Sequence, residues 1–389
     1  MTNHIAFVQF RTAVRRKGAL AFCLALCMLG LALSASAREP SIITFDAPGA
    51  DKGDAGDGTL AYVINDQGVI MGWYVDASTL HHSFLRTPDG RFTTFEDPVA
   101  ATGSTCQGTS AWGMNDLGAI TGIYTDANNV WHSFLRAPDG KFTNFDAPGA
   151  GSTGAVCGGQ GTLAGTINAA GTIGGGYVDS DWVYHGYVRA PDGKITIYDP
   201  PGSLGTYGTL GTTEINPEGA IAAYFCDAVT CHGYLRAPDG TISVLDVPVS
   251  WAAQNTIAVS INPAWVITGY YGDANGVPHG FLRTPDGTYT RFDVPGAGAT
   301  PGTGQGTYPN DINSAGAITG NYYDSNSVAH GFLRTPDGRF TTFDAPGAGT
   351  VVGSFQGTFP STINSAGAIT GSYTDANGVS HGFLRPAMP

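Results

Sequence analysis

The chain is built from copies of one unit. The segment HGFLRTPDGRFTTFD at 330–344 has near-copies starting at His82, His132, His185, His232 and His279, and a truncated one at His381. Seven units align on INxxGxxxGxYxD…HGFLRxPDGxxTxFD, with successive histidines 47 to 53 residues apart. A unit of that length is too long for a solenoid rung and matches a four-stranded propeller blade. Because every unit carries the same apolar pattern, each must bury its faces against further copies of itself.

Each unit contains four short strand signals separated by turn residues, here lettered A to D. In the sixth unit TYPNDIN (307–313) is strand A, AITGNYYD (317–324) strand B, VAHGFLR (328–334) strand C and RFTTFD (339–344) strand D. Thr335-Pro336-Asp337-Gly338 is a tight turn, with Pro setting φ and Gly accepting a positive one. No segment of helical length has an apolar 3.6-residue period, so helix is essentially excluded. The B–C hairpin register places Tyr322 opposite His330, Gly320 opposite Phe332, and Tyr323 opposite Ala329. The same register in the fourth unit, YFCDAVTCHGYLR, sets Cys226 against Cys231 at a separation a disulfide can span. Cys106 and Cys157 both precede the strand-A start in adjacent units; they either bridge neighbouring units or stay apart.

After residues 1–37, the chain opens with a lone strand D, SIITFD (41–46), and closes with strands A to C of a last unit, ending in HGFLR (381–385). Complementary halves at opposite ends make sense only if the first strand completes the last sheet. The expectation is therefore all-β: a seven-bladed β-propeller, four antiparallel strands per blade, its ring closed by strand 41–46, with residues 38–389 as a single domain.

Residues 1–37 read as an export signal. A basic segment (Arg11, Arg15, Arg16, Lys17) precedes the apolar run 18–37, which ends in the small-x-small site Ala35-Ser36-Ala37. The apolar run is short for a spanning helix, so no stable membrane insertion is expected, and the protein should be secreted or periplasmic after cleavage at about Ala37. The whole chain has formal charge −13; the signal holds four basic residues and no acid, which leaves −17. That balance excludes nucleic acid as a partner, because the phosphate contribution would be repulsive.

The motif INxxGxxxGxxxD…HGFLR resembles the HAF-type extracellular repeat family, named for a His-Ala-Phe motif followed by Leu. Here His330-Gly331-Phe332-Leu333 stands at that place, Ser follows His in the first two units, and Tyr replaces Phe in the third and fourth. The resemblance covers nearly the whole chain after the signal. It implies an exported, propeller-type repeat protein and carries no catalytic residues with it.

Columns of His, Tyr and Asp run through all seven units. The Tyr column runs from Tyr74 to Tyr373 with Tyr224 in the fourth unit, and the Asp column from Asp76 to Asp375. Residues repeated once per unit are spread around a ring, whereas a catalytic site needs groups converging on one point. These columns read as structural: Tyr and His pair across strands between blades, with the imidazole bonded to a nearby Asp. The arginine that ends each HGFLR reads as a surface ion-pair partner of the Asp in PDG or FD. No nucleophile elbow, zinc, Walker or dinucleotide motif stands in a fitting context, so no catalytic residue is assigned. No cofactor is expected; DANGV, DANNV and DSNSV resemble a fragment of a calcium loop without its closing Glu, which makes structural calcium the one candidate.

Local function belongs where the units differ, in the D-to-A crossover loops, which share a face with the B–C loops. That face carries Trp131, Trp182, Trp251, Asp51, Asp54 and Asp57, a set suited to a glycan or to a protein segment. The reading is a non-enzymatic exported binding propeller. The alternatives are a polysaccharide hydrolase or lyase, needing carboxylates that converge at the channel mouth, and a structural matrix protein. Glu214 is the only Glu in any strand A.

Overall fold

Alternating apolar residues between Gly-, Pro- and Asn-rich turns give 28 short β-strands and one three-residue 3-10 turn, Val249–Trp251, among the described residues. The computed structural model describes residues 41–388 apart from 54–57, 204–208 and 252–254, with only the backbone at 209–213. Residues 1–37, read above as an export signal, and Asp54 and Asp57 therefore lie outside the described residues.

The four strands of each unit hydrogen-bond in order, as in Gly306–Ile312, Ile318–Tyr323, Ala329–Arg334 and Phe340–Phe343 of the sixth. All neighbours within a unit are antiparallel, and the hairpin register is the expected one, Tyr322 opposite His330 and Tyr323 opposite Ala329. Phe332 covers Gly320: a Cβ at that glycine would sit 2.9 Å from the ring. Gly338 in the PDG turn has φ 88°, a conformation that costs other residues energy.

The isolated first strand does complete the last sheet. Ile43–Phe45 pairs antiparallel with Ser380–Arg385, Phe45 opposite Gly382 and Thr44 opposite Phe383. Further bonds join the last unit to the first: Asn364 Nδ2 donates to the Asn65 carbonyl at 3.1 Å, and Ile64 N to Thr362 Oγ1 at 3.0 Å. The same asparagine link recurs from Asn313 to Asn364, Asn262 to Asn313, Asn168 to Asn216 and Asn115 to Asn168. The strands form four separate hydrogen-bonded sheets, none of them closed on itself.

The core lies between units. Ile64, Ile70, Tyr74 and Phe84 of the first unit pack with Phe45 and Leu384 of the last sheet. Leu333 of the sixth packs with Ile363, Ile369 and Phe383 of the seventh. Thus each unit closes its neighbour's core as well as its own.

The arginine column corrects the expectation of surface ion pairs. Each guanidinium lies over an aromatic ring of strand D, in six of the seven units a ring outside its own unit: Arg86 over Phe45 at 4.8 Å, Arg136 over Phe95 at 4.7 Å, Arg334 over Phe292 at 5.0 Å. Where strand D of the fourth unit offers Leu245 instead, Arg283 turns to Tyr289 of its own unit. Arg86 is buried, and a cation held over a ring away from water gains more than an exposed ion pair. Asp89 of the PDG turn takes the Thr87 hydroxyl and Arg91 instead.

Cys226 and Cys231 are bonded as the register required, and Cys106–Cys157, open on sequence alone, is bonded too. The second joins the crossover loops of adjacent units across 51 residues, the first spans 5. By the chain-entropy relation, breaking Cys106–Cys157 with paired Ser substitutions should cost about 4 kcal/mol and breaking Cys226–Cys231 about 2. Urea titration of both variants checks this; equal losses would contradict it.

Candidate functional site

Strand A of every unit carries a register slip against strand B near its C-terminal end, for instance between Leu210 and Glu214, Ala258 and Ser260, and Pro309 and Asp311. A bulge re-aims the side chain at that point. The residue just before the Ile-Asn of each unit, or before its Met-Asn in the second, is thereby placed at one cavity of about 560 Å3, lined by strand-A ends and A–B turns of all seven units. Across the units this column reads Val63, Gly113, Thr166, Glu214, Ser260, Asp311 and Thr362.

In three units the side chain in this column clamps the next unit. Ser260 Oγ accepts from Ile312 N at 3.3 Å, Asp311 Oδ2 from Ile363 N at 2.9 Å, and Thr362 Oγ1 from Ile64 N at 3.0 Å. Asp311 Oδ1 also accepts from Ser260 Oγ and Ile312 N, both at 2.8 Å. Glu214 accepts from the adjacent Ile215 N at 3.2 Å. Removal from water, with the negative charge of Asp311 added, pushes the Glu214 carboxyl up to about 8. Burial also raises Asp311, against its three hydrogen-bond donors. At neutral pH Glu214 thus holds a proton in a cavity that Asp311 also lines.

The first two units supply an aromatic wall. Tyr62 and Trp112 are 5.3 Å apart by ring centroid, and Tyr62 stacks on Trp73 at 6.2 Å. Trp112 remains 40% exposed. Asp66 and Asp116 stand at the rim, where Asp116 accepts from Asp66 N at 2.8 Å. No Lys, Arg or His lines this cavity among the described residues.

The histidine column sits elsewhere, along the B–C loops. Its Nδ1 meets the carboxylate that ends strand D, as in His132 with Asp146 at 3.0 Å and His381 with Asp46 at 2.7 Å. Nε2 faces the Asp that follows strand B, 3.2 Å away for His185 and Asp179. The ring stacks on the strand-B aromatic of the same hairpin, Tyr74 on His82 at 5.0 Å. Two corrections follow. The Tyr–His pair lies within a unit, because residues opposite in a hairpin are the nearest neighbours a strand has. In the fourth unit Phe225 stacks on His232 and Tyr224 opposes Gly233 instead. Hydrogen bonds to Asp146 and Asp344 raise His132 and His330 above the usual range, outweighing desolvation. In His82, His185 and His232 burial opposes and the paired carboxylates win.

The crossover loops do share a face with the B–C loops: Asp51 N donates to Val75 O at 2.8 Å and Cys106 N to Thr79 O at 3.0 Å. Trp182 lies in a B–C loop, 42% exposed with φ 65°. Trp131 is half-buried at the start of strand C, its backbone bridging Gly161. Trp251 packs on Tyr271 at 5.2 Å and Tyr289 at 6.3 Å, covering the fifth unit's core. Asp51 turns its carboxylate back on Lys52 N and Gly53 N. Among the described residues no ring contact joins the three tryptophans. Sequence reasoning singled out Glu214 and missed Asp311, Tyr62 and Trp112. Reading the column before Ile-Asn across units, where EIN and DIN stand among VIN, TIN and SIN, was the available signal.

No protein-family model and no curated protein matches the chain. Among solved structures it is similar to puromycin hydrolase, at 12% identity over 84% of this chain and 53% of that one, with a TM-score of 0.51. It is similar also to a prolyl endopeptidase, at 10% identity over 90% and 50%, with a TM-score of 0.51. The β-propeller domain of the Trilobed protease from Pyrococcus furiosus aligns at 8% identity over 85% and 94%, with a TM-score of 0.49. The chain spans about half the length of the first two. At these identities the likeness is one of fold: all-β and propeller-like. No helix among the described residues is long and apolar enough to cross a membrane.

Proposed function

We propose that this chain is a seven-bladed β-propeller of the HAF-repeat type, its ring clasped by strand 41–46 and exported after loss of residues 1–37. In this reading it docks a partner outside the cell through the crossover-loop face. The observation that carries it is where the exposed apolar side chains lie. Val99, Val156, Val249 and Val352 sit in crossover loops and Val229 and Trp182 in B–C loops, with Val249 at 95% and Val229 at 90% exposure. The A–B-turn end exposes Leu117 and, at the cavity, Trp112. Exposed apolar groups gathered on one rim mark an interaction surface. Aliphatic valines beside carboxylates favour a protein segment with apolar and basic residues over a glycan, which prefers flat rings to stack on. The Cys106–Cys157 bond supports the reading by holding two of these loops in a fixed relation, which lowers the ordering cost of binding.

The test is a panel of cationic amphipathic peptides and glycans, with product release from pooled polysaccharides followed in parallel. Peptide binding that falls at least about tenfold in the Val229→Asp, Val249→Asp double variant, without turnover, is the expected result. Glycan binding alone would reassign the partner class, and product release would establish the hydrolase alternative. Peptide binding unchanged in the double variant would remove this face from consideration.

A further inference from the structure

The cavity at the A–B-turn end lies away from the crossover face and breaks the sevenfold pattern of the chain. Two of seven equivalent positions carry acids, Glu214 and Asp311, in units four and six, with the Ser260 hydroxyl of unit five bonded to Asp311. Two carboxylates in one low-dielectric pocket repel each other, and no basic side chain lines the wall to offset them. Such a pocket gains free energy from a cation it does not itself supply.

One further observation narrows the ligand. Trp112, on one of the five units that bear no acid in this column, lines the cavity and remains 40% exposed, with Tyr62 packed against it. Aromatic faces attract weakly hydrated organic ammonium groups. The volume, about 560 Å3, is that of a small-molecule pocket.

We infer that this cavity binds a small organic cation, a substituted ammonium. The ammonium sits between the two acids, Glu214 and Asp311, and the Trp112 ring. Glu214 gives up its proton to solvent as the cation enters, so Glu214 and Asp311 together carry two negative charges against one ammonium, with Asp66 and Asp116 at the rim.

Isothermal titration of the purified protein with choline, calcium chloride and glucose tests this. Choline should bind the unaltered protein, and Glu214→Gln and Trp112→Ala should each weaken it about tenfold or more. A circular dichroism melt of Glu214→Gln separates loss of binding from loss of the fold. Binding of calcium without choline would make this a metal site and overturn the inference. So would binding of glucose alone, absence of choline binding, or choline binding insensitive to both variants. None of these results touches the crossover-face variants, so the two sites are tested separately.

Discussion

Deleting residues 41–46 will abolish the cooperative unfolding transition or lower its midpoint by many degrees, and a synthetic peptide of residues 41–50 added in excess will restore it. The reason is that this strand serves two sheets. It supplies the fourth strand of the last sheet, with Ile43, Thr44 and Phe45 paired to Leu384, Phe383 and Gly382. It also closes the core of the first unit, where the Phe45 ring packs 6.4 Å from Phe84 and 5.9 Å from Phe92, with Arg86 stacked over it. Asp46 adds a 2.7 Å bond to His381, and Ala47 N one to Thr59 Oγ1. Phe45→Ala alone should cost about 3 kcal/mol, since it removes a large ring and leaves the Arg86 guanidinium without its aromatic partner. Thermal melts of the deleted chain, with and without the peptide, check the clasp. A deletion that melts like the intact chain would refute it.

Stability will be greatest between about pH 4 and 6 and will fall toward pH 8, and Glu214→Gln will flatten the fall. Three sets of groups set the sign. The Glu214 carboxyl, raised to about 8 by burial and by Asp311, keeps its proton when folded, whereas the unfolded carboxyl ionises near 4.3. Folding therefore binds a proton across that interval, and its contribution drains away as pH rises through it. His82, His132, His185, His232 and His330 are raised by their carboxylate partners, so their contribution is full below about 6.5 and lost as pH climbs through the folded value. The partner aspartates, Asp76, Asp126, Asp179 and Asp324 among them, are lowered by their hydrogen bonds despite burial, so they act in the opposite sense. Their contribution is present above about 3.9 and lost as pH falls below it. Only His81, lowered by burial, opposes the trend among the histidines that shift. Each pH unit of displacement on one buried group is worth about 1.4 kcal/mol, so Glu214→Gln should gain on the order of a few kcal/mol at pH 8 and little at pH 5. Urea titrations of both proteins from pH 4 to 8 decide it. Parallel profiles would mean that Glu214 is ionised in the folded chain.

Most of the local structure was legible beforehand, and the misses share a cause. The hairpin register followed from two-residue alternation, and it located the Tyr322–His330 pair and the Cys226–Cys231 bond without a coordinate. The arginines mislead along the chain because six of the seven find their rings outside their own unit. In a residue string, Arg86 stands next to Asp89 and far from Phe45, so the nearer ion pair looked the better one. Trp251, on a three-residue helical turn in the crossover, packs over Tyr271 and Tyr289, a contact that no pattern along the chain announces. The acids of the cavity were half seen. Glu214 stood out as the one Glu of its column, but nothing along the chain brings Asp311 to it.

The sequence by itself determined the unit, its four strands, their pairing and the fit between residues 41–46 and 381–385. Those depend on pleat, turn chemistry and side-chain alternation, all of which act over a few residues. Only the tertiary structure decided which residues of different units meet: Cys106 with Cys157, six of the seven arginines with their rings, Ser260 with Asp311. Such meetings depend on how far each sheet is rotated against the next. That rotation is set by the packing of whole apolar faces rather than by any residue pattern within a unit.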